Sequence, residues 1–173
     1  HIFCLPPEER LTEAAFRGAC AAANDAIGDH NDRYSTRGSG VTLAAAVIHE
    51  RRACVGWVGD CRIWRMTDTA LTVVSREHLL VNKMIEAGKL TPEEAKESPY
   101  RNIVLRHLGG SRDEHSVPDV AMLDFAPQEL LLLATDGLWQ KLPEEQLRSR
   151  LSGHRALPVV AEQLIDDCLL YTS

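Results

Sequence analysis

The sequence predicts an α+β fold, one domain over residues 1–173, and three observations lead there. An Ala-rich stretch with helical spacing opens the chain. Four short apolar or β-branched runs then crowd into Val41 to Val74, and two further strand candidates come after a helical and irregular stretch. The connections Glu50-Arg51-Arg52 and Gly59-Asp60-Cys61 are too short to hold a crossover helix, so the first four runs read as an antiparallel meander rather than βαβ units. With 45% hydrophobic and 25% charged residues in 173, the chain has the balance and length for one sizeable core.

Each element has its own signal. From Glu8 to about His30, apolar residues at Leu11, Ala15, Ala19, Ala22, Ala26 and Ile27 keep helical spacing, and Asp29-His30-Asn31-Asp32 reads as the exit. Strand patterns follow at Val41 to His49, Ala53 to Val58, Arg62 to Met66 and Leu71 to Val74. Alternation in the third puts Ile63 on one face and Arg62 and Trp64 on the other. A helix runs from Leu79 to about Ala87 and stops at Gly88. Thr91-Pro92-Glu93-Glu94 reads as an N-cap with Pro in the first turn and acids behind it. Ser98 to Val117 is irregular. Val120 to Phe125 is a strand candidate, and Leu130 to Thr135 reads as a fully buried strand. Helices close the chain from Pro143 and along Leu157, Val160, Ala161, Leu164, Ile165, Cys168 and Leu169.

Composition excludes several classes of function. A net charge of −6 with scattered arginines argues against a nucleic-acid partner. No apolar run approaches the roughly 20 residues that span a bilayer, and no membrane partner is expected. His1 to Pro7 show no basic stretch leading into an apolar one, so no signal peptide is expected, and a cytoplasmic, monomeric protein is the expectation. Five cysteines (Cys4, Cys20, Cys54, Cys61 and Cys168) include no CxxC pair, which favours free thiols over a zinc site or a disulfide framework.

Two acidic turns are the candidates for chemistry. Asp60 sits in the tight link between two strands. Asp136 follows a buried strand, with Gly137 beside it to allow unusual backbone geometry or close approach of a ligand. Mg²⁺ and Mn²⁺ prefer carboxylate and water oxygens, and two Asp residues at strand ends can supply them. Taken alone, either Asp is better explained by ordinary turn chemistry.

The ordered set of motifs goes further. Gly38-Ser39-Gly40-Val41-Thr42-Leu43, Val58-Gly59-Asp60-Cys61-Arg62-Ile63-Trp64, Ser75-Arg76-Glu77-His78 and Leu131-Leu132-Leu133-Ala134-Thr135-Asp136-Gly137-Leu138-Trp139 resemble, in this order, the PPM or PP2C metal-dependent serine/threonine protein phosphatases. Cys61 stands where that family has Ser, and Glu77 where it has Asp. Glu86-Ala87-Gly88, Thr91 to Ala95, Arg101 to Val104 and Leu108-Gly109 resemble its flap segment and return. The resemblance implies a four-layer αββα sandwich of two antiparallel sheets flanked by helices. It also implies two or three Mg²⁺ or Mn²⁺ ions at one end, a phosphoprotein substrate, and water activated by the ions as the attacking group. By position Asp136 matches a ligand of the core ion pair, and Asp60 an Asp associated with a further, weakly held ion.

Other family motifs are not found. The early Asp-Gly-x-x-Gly, with its neighbouring general-acid His and phosphate-binding Arg, and the late Asp-Asn do not occur, so the resemblance implies a fragment with an incomplete metal site and exposed apolar surface. No catalytic residue is therefore assigned within the chain. Cys168 to Ser173 also match the translation of a transposon end used in sequencing libraries, and read-through is the expectation for them. A catalytically silent binding or regulatory module of the same fold is the second reading, and an unrelated protein with two fortuitous Asp turns the third. Asp166 and Asp167 read as solvated helix surface, and Trp57, Trp64 and Trp139 as packing. His49, His78, His107, His115 and His154 read as surface or satisfied positions, and Arg101 and Arg106 as solvated loop rather than phosphopeptide contacts.

Overall fold

A computed structural model describes residues 9, 11–34, 39–110, 116–152 and 156–170. Of the residues singled out above, Cys4, Glu8, Gly38, His115, His154 and Tyr171 to Ser173 lie outside that range. The elements run α1 (Glu13–Tyr34), β1 (Leu43–His49), β2 (Arg52–Val58), β3 (Arg62–Met66), β4 (Leu71–Val73), α2 (Leu80–Glu86), α3 (Pro92–Glu97), β5 (Asp119–Asp124), β6 (Leu130–Ala134), α4 (Asp136–Trp139), α5 (Glu144–Leu151) and α6 (Leu157–Leu170).

The strands form two antiparallel sheets, β1-β2-β5 and β4-β3-β6. This corrects the single meander. β1 pairs with β2 and β3 with β4, but β2 and β3 do not pair, because Gly59-Asp60-Cys61 carries the chain from one sheet to the other. Period-two alternation then sorts the side chains. Cys54 and Val58 face α1, together with Phe16 and Cys20, while Ala53, Val55, Trp57 and Ile63 fill the space between the sheets. Trp64 and Met66 face the opposite way, onto Leu147 and Leu151 of α5 and Val160 and Leu164 of α6. The result is the expected helix–sheet–sheet–helix stack. Ile63 and Leu147 are almost wholly buried, and each contributes on the order of 1.5–3 kcal/mol by leaving water.

Local departures have local causes. α1 continues through the polar stretch expected to end it, to Tyr34. There the Asn31 amide donates to the carbonyls of Ser39 and Gly109 at 2.8 and 3.2 Å, so a polar residue read as an exit is satisfied within the fold. Leu130 to Ala134 are half-buried rather than fully buried, because β6 lies at the edge of its sheet. Asp167 is not free surface: Arg150 donates to both its oxygens at 2.7 and 2.9 Å. Apolar side chains do stand exposed, at Ile48 and Met122 on the first sheet and at Ile165 and Leu169 on α6. The N-cap expected at Thr91 forms, and Glu94 closes it into a capping box. Among the described residues, no helix is long and apolar enough to cross a membrane.

Candidate metal centre

Arg62 at the start of β3 pairs with Ala134 at the end of β6. Because the pair is antiparallel, Asp60, two residues before Arg62, and Asp136, two residues after Ala134, emerge at the same end of the second sheet. The first turn of α4 ties them together. Trp139, three residues beyond Asp136, donates its indole N–H to the Asp60 carbonyl at 3.1 Å. The same ring lies 4.1 Å under the Arg62 guanidinium, which is paired with Glu77. Trp139 therefore does more than pack.

The Asp60 turn is held from several sides. Gly59 has φ of +98°, a conformation side-chain-bearing residues rarely adopt. Its N–H donates to His78 Nδ1 at 3.0 Å, and its carbonyl accepts from the His78 N–H at 2.8 Å. Thr42 is hydrogen-bonded to the Asp60 carboxylate and lies 3.4 Å from Cys61 Sγ. Burial, then the charges of Asp136 and Glu77, raise the Asp60 carboxyl above the usual range, partly offset by its own backbone N–H and by Thr42. Asp136 has less around it: Gln140 Nε2 donates to Oδ2 at 3.4 Å and to Asn102 Oδ1 at 3.3 Å. Two half-buried carboxylates of like charge, one of them disfavoured as an anion, have the chemistry of a hard-cation site. They are only two. Among the described residues, no group of three or more His, Cys, Asp or Glu side chains converges on one point.

Several other singled-out residues are held within the fold rather than left in solvent. His78 is buried and fully engaged; burial depresses its pKa despite the pull of Asp119. Arg106 is not open to a ligand, since it donates to Asp119 Oδ1 at 3.0 Å. Burial raises the Asp119 carboxyl, but the hydrogen bond from His78, its charge and Arg106 outweigh this and hold it below the usual range. Arg101 lines a cavity of about 680 Å³ between α2, α3 and Trp139. Cys20, Cys54, Cys61 and Cys168 are free thiols, and burial pushes Cys20 up to about 11. Thr42 and Asp119 are contributors that the sequence pattern does not single out. Thr42 lies within the Gly38 to Leu43 motif, whereas nothing local marks Asp119.

No family model matches the chain. It is 32% identical to the protein phosphatase PhpP of Streptococcus pneumoniae over 129 residues, which cover 75% of this chain and 52% of that protein. It is 29% identical to a putative protein phosphatase 2C-type of Streptococcus pyogenes serotype M6 over 143 residues, covering 83% and 57%. Among solved structures, the catalytic domain of the serine/threonine protein phosphatase PstP in complex with two manganese ions superimposes with a TM-score of 0.80 at 26% identity, covering 91% of this chain and 64% of that one. The chain belongs to the PP2C-type phosphatase family. Its two sheets and flanking helices are the PP2C-like sandwich, and the Asp60 and Asp136 turns lie at one end of it. The chain spans about half the length of the curated PP2C relatives it matches.

Proposed function

We propose that this chain forms the central part of a metal-dependent phosphatase that hydrolyses phosphoserine and phosphothreonine in proteins. Asp136 serves as a ligand of a core Mg²⁺ or Mn²⁺ pair, and Asp60 as a ligand of a further ion. The observation that carries the reading is the emergence of both carboxylates at one end of the β3–β6 pair. The manganese-bound structure of PstP supports the choice of ion class. Bound divalent cations would acidify water and offset charge on the phosphoryl oxygens. The chain's own residues fix the donors. Thr42 and the grip on Gly59 orient Asp60, and Gln140 steadies Asp136 from the next turn of chain. Because two carboxylates fall short of the six or so oxygens that such ions take, the remaining donors are water and residues of the intact domain. The same reading has it act as a cytoplasmic monomer on phosphoproteins, without nucleic-acid or membrane partners.

The test is Mn²⁺-dependent hydrolysis of an aryl phosphate by a domain of the relatives' full length. Asp136→Ala is expected to lower turnover by about 100-fold or more, and the present 173-residue chain alone to show none. Wild-type turnover in the variant would remove Asp136 from the site. No turnover in the intact domain would favour the silent binding module.

A further inference from the structure

One residue grips the two peptide units that flank Gly59, the residue before Asp60. The Gly59 N–H donates to His78 Nδ1 at 3.0 Å, and the His78 backbone N–H donates to the Gly59 carbonyl at 2.8 Å. Nδ1 can accept only if it carries no proton, so the proton of the neutral ring sits on Nε2. Nε2 faces Asp119 Oδ2 at 3.2 Å, an acceptor for that proton. Arg106 Nη1 lies 3.4 Å from Nε2, where both atoms are donors, and its bond goes instead to Asp119 Oδ1 at 3.0 Å. The order is thus Arg106, Asp119, His78, Gly59, with each group fixing the next. The opposite tautomer would set two donors against each other at the Gly59 N–H.

We propose that His78, locked in one tautomer by Asp119, is a positioning residue that sets the aim of the Asp60 carboxylate toward a divalent cation. This rests on the reading of Asp60 as a metal ligand. Gly59 has no side chain, and its left-handed backbone closes against Thr42 and the Arg106 carbonyl, so the turn is steered through its peptide groups. Trp139 adds a further backbone anchor at the Asp60 carbonyl, beyond the carboxylate. Partners that orient a metal ligand through hydrogen bonds typically govern metal affinity by about 10- to 100-fold.

The experiment uses the full-length protein and two readouts: exchange of the Gly59 amide proton with solvent, and Mn²⁺ affinity from the free-ion electron paramagnetic resonance signal. His78→Leu keeps the volume and removes the acceptor. It should speed Gly59 exchange by about 10-fold or more and weaken the weakest-bound Mn²⁺ by about 10- to 100-fold, with an unchanged circular dichroism spectrum. His78→Asn places Oδ1 near the former Nδ1 and should retain both properties within about 3-fold. Wild-type exchange and affinity in His78→Leu, or equal losses in the two variants, would overturn the proposal. If His78→Leu does not fold, Asp119→Ala decides instead. Its side chain is 45% exposed, and it should loosen Mn²⁺ in the same direction by a smaller factor, whereas unchanged affinity would overturn the assignment. Asp60→Ala separates this idea from the one beneath it. Unaltered Mn²⁺ stoichiometry there removes Asp60 as a ligand, and with it the proposed aim. A lost ion together with intact Gly59 protection in His78→Leu would sink the grip alone.

Discussion

Gly59 precedes Asp60 and Gly137 follows Asp136, so the two carboxylate turns look alike in sequence, yet their backbones are built differently. Gly59 adopts a φ of +98°, and a Cβ there would run into the Thr42 side chain. Gly137 lies in α4 with no left-handed backbone, and a Cβ there would meet only Thr135 Oγ1 at 3.7 Å, an ordinary contact. The Asp60 turn is tied by His78, Trp139 and Thr42. The Asp136 carboxylate has one long hydrogen bond from Gln140, and Thr135 gives α4 no side-chain cap. One carboxylate is therefore held by the fold and the other is left adjustable. Of the two uses open to Gly137 in the sequence, unusual backbone geometry falls to Gly59 instead, which leaves close approach of a ligand.

The largest effect should come from the glycine that the fold needs. Gly59→Ala combines a disfavoured φ with an overpacked contact and should cost about 2–4 kcal/mol, read as a lower urea midpoint. Gly137→Ala should do the reverse. It removes freedom from the unfolded chain at a position that tolerates a methyl group, and should stabilise by about 0.4–1 kcal/mol. If full-length Gly137→Ala is more stable but hydrolyses aryl phosphate more slowly, the space beside Asp136 is kept for a ligand. Equal destabilisation by both substitutions would erase the comparison.

Much of this was legible because its signals are local. The helical spacing of α1, the N-cap at Thr91 and the alternation around Ile63 each lie within a few residues, and the motifs holding Asp60 and Asp136 are contiguous. What escaped depends on distant pairing. Gly59-Asp60-Cys61 has the composition of a hairpin turn, and only the pairing of β2 with β5 and β3 with β6 makes it a crossing between sheets. The same register brings Asp119, opposite Trp57, to His78, 41 residues away in sequence. Arg150 reaches Asp167 only because α5 and α6 pack, so an acidic pair that looks solvated along the chain is half bound. The layers themselves came from the resemblance, since spacing alone gave a meander.

The smallest effect concerns the charge on Asp60. Burial and the neighbouring Asp136 and Glu77 charges hold its carboxyl above the ordinary value of about 3.9. Between that value and the raised one, the folded chain keeps a proton that the unfolded chain has released, so stability falls as pH rises through the window. Above the window the ionised carboxylate opposes folding. Asp60→Asn removes that charge while leaving an oxygen to accept from Thr42. Without divalent ions the variant should exceed the parent at pH 7 by about 0.5 kcal/mol or less, since solvent screens a partly exposed group. The advantage should vanish as pH falls below about 4. Saturating Mn²⁺ should reverse the order, because an ion bound only by the folded state stabilises the chain that keeps its ligand. Urea midpoints across pH, with and without Mn²⁺, read all three. An advantage that grows in acid, or an order indifferent to Mn²⁺, would mean that Asp60 is merely a buried turn residue, and the contrast with Asp136 would then lie in packing rather than in preparation for a cation.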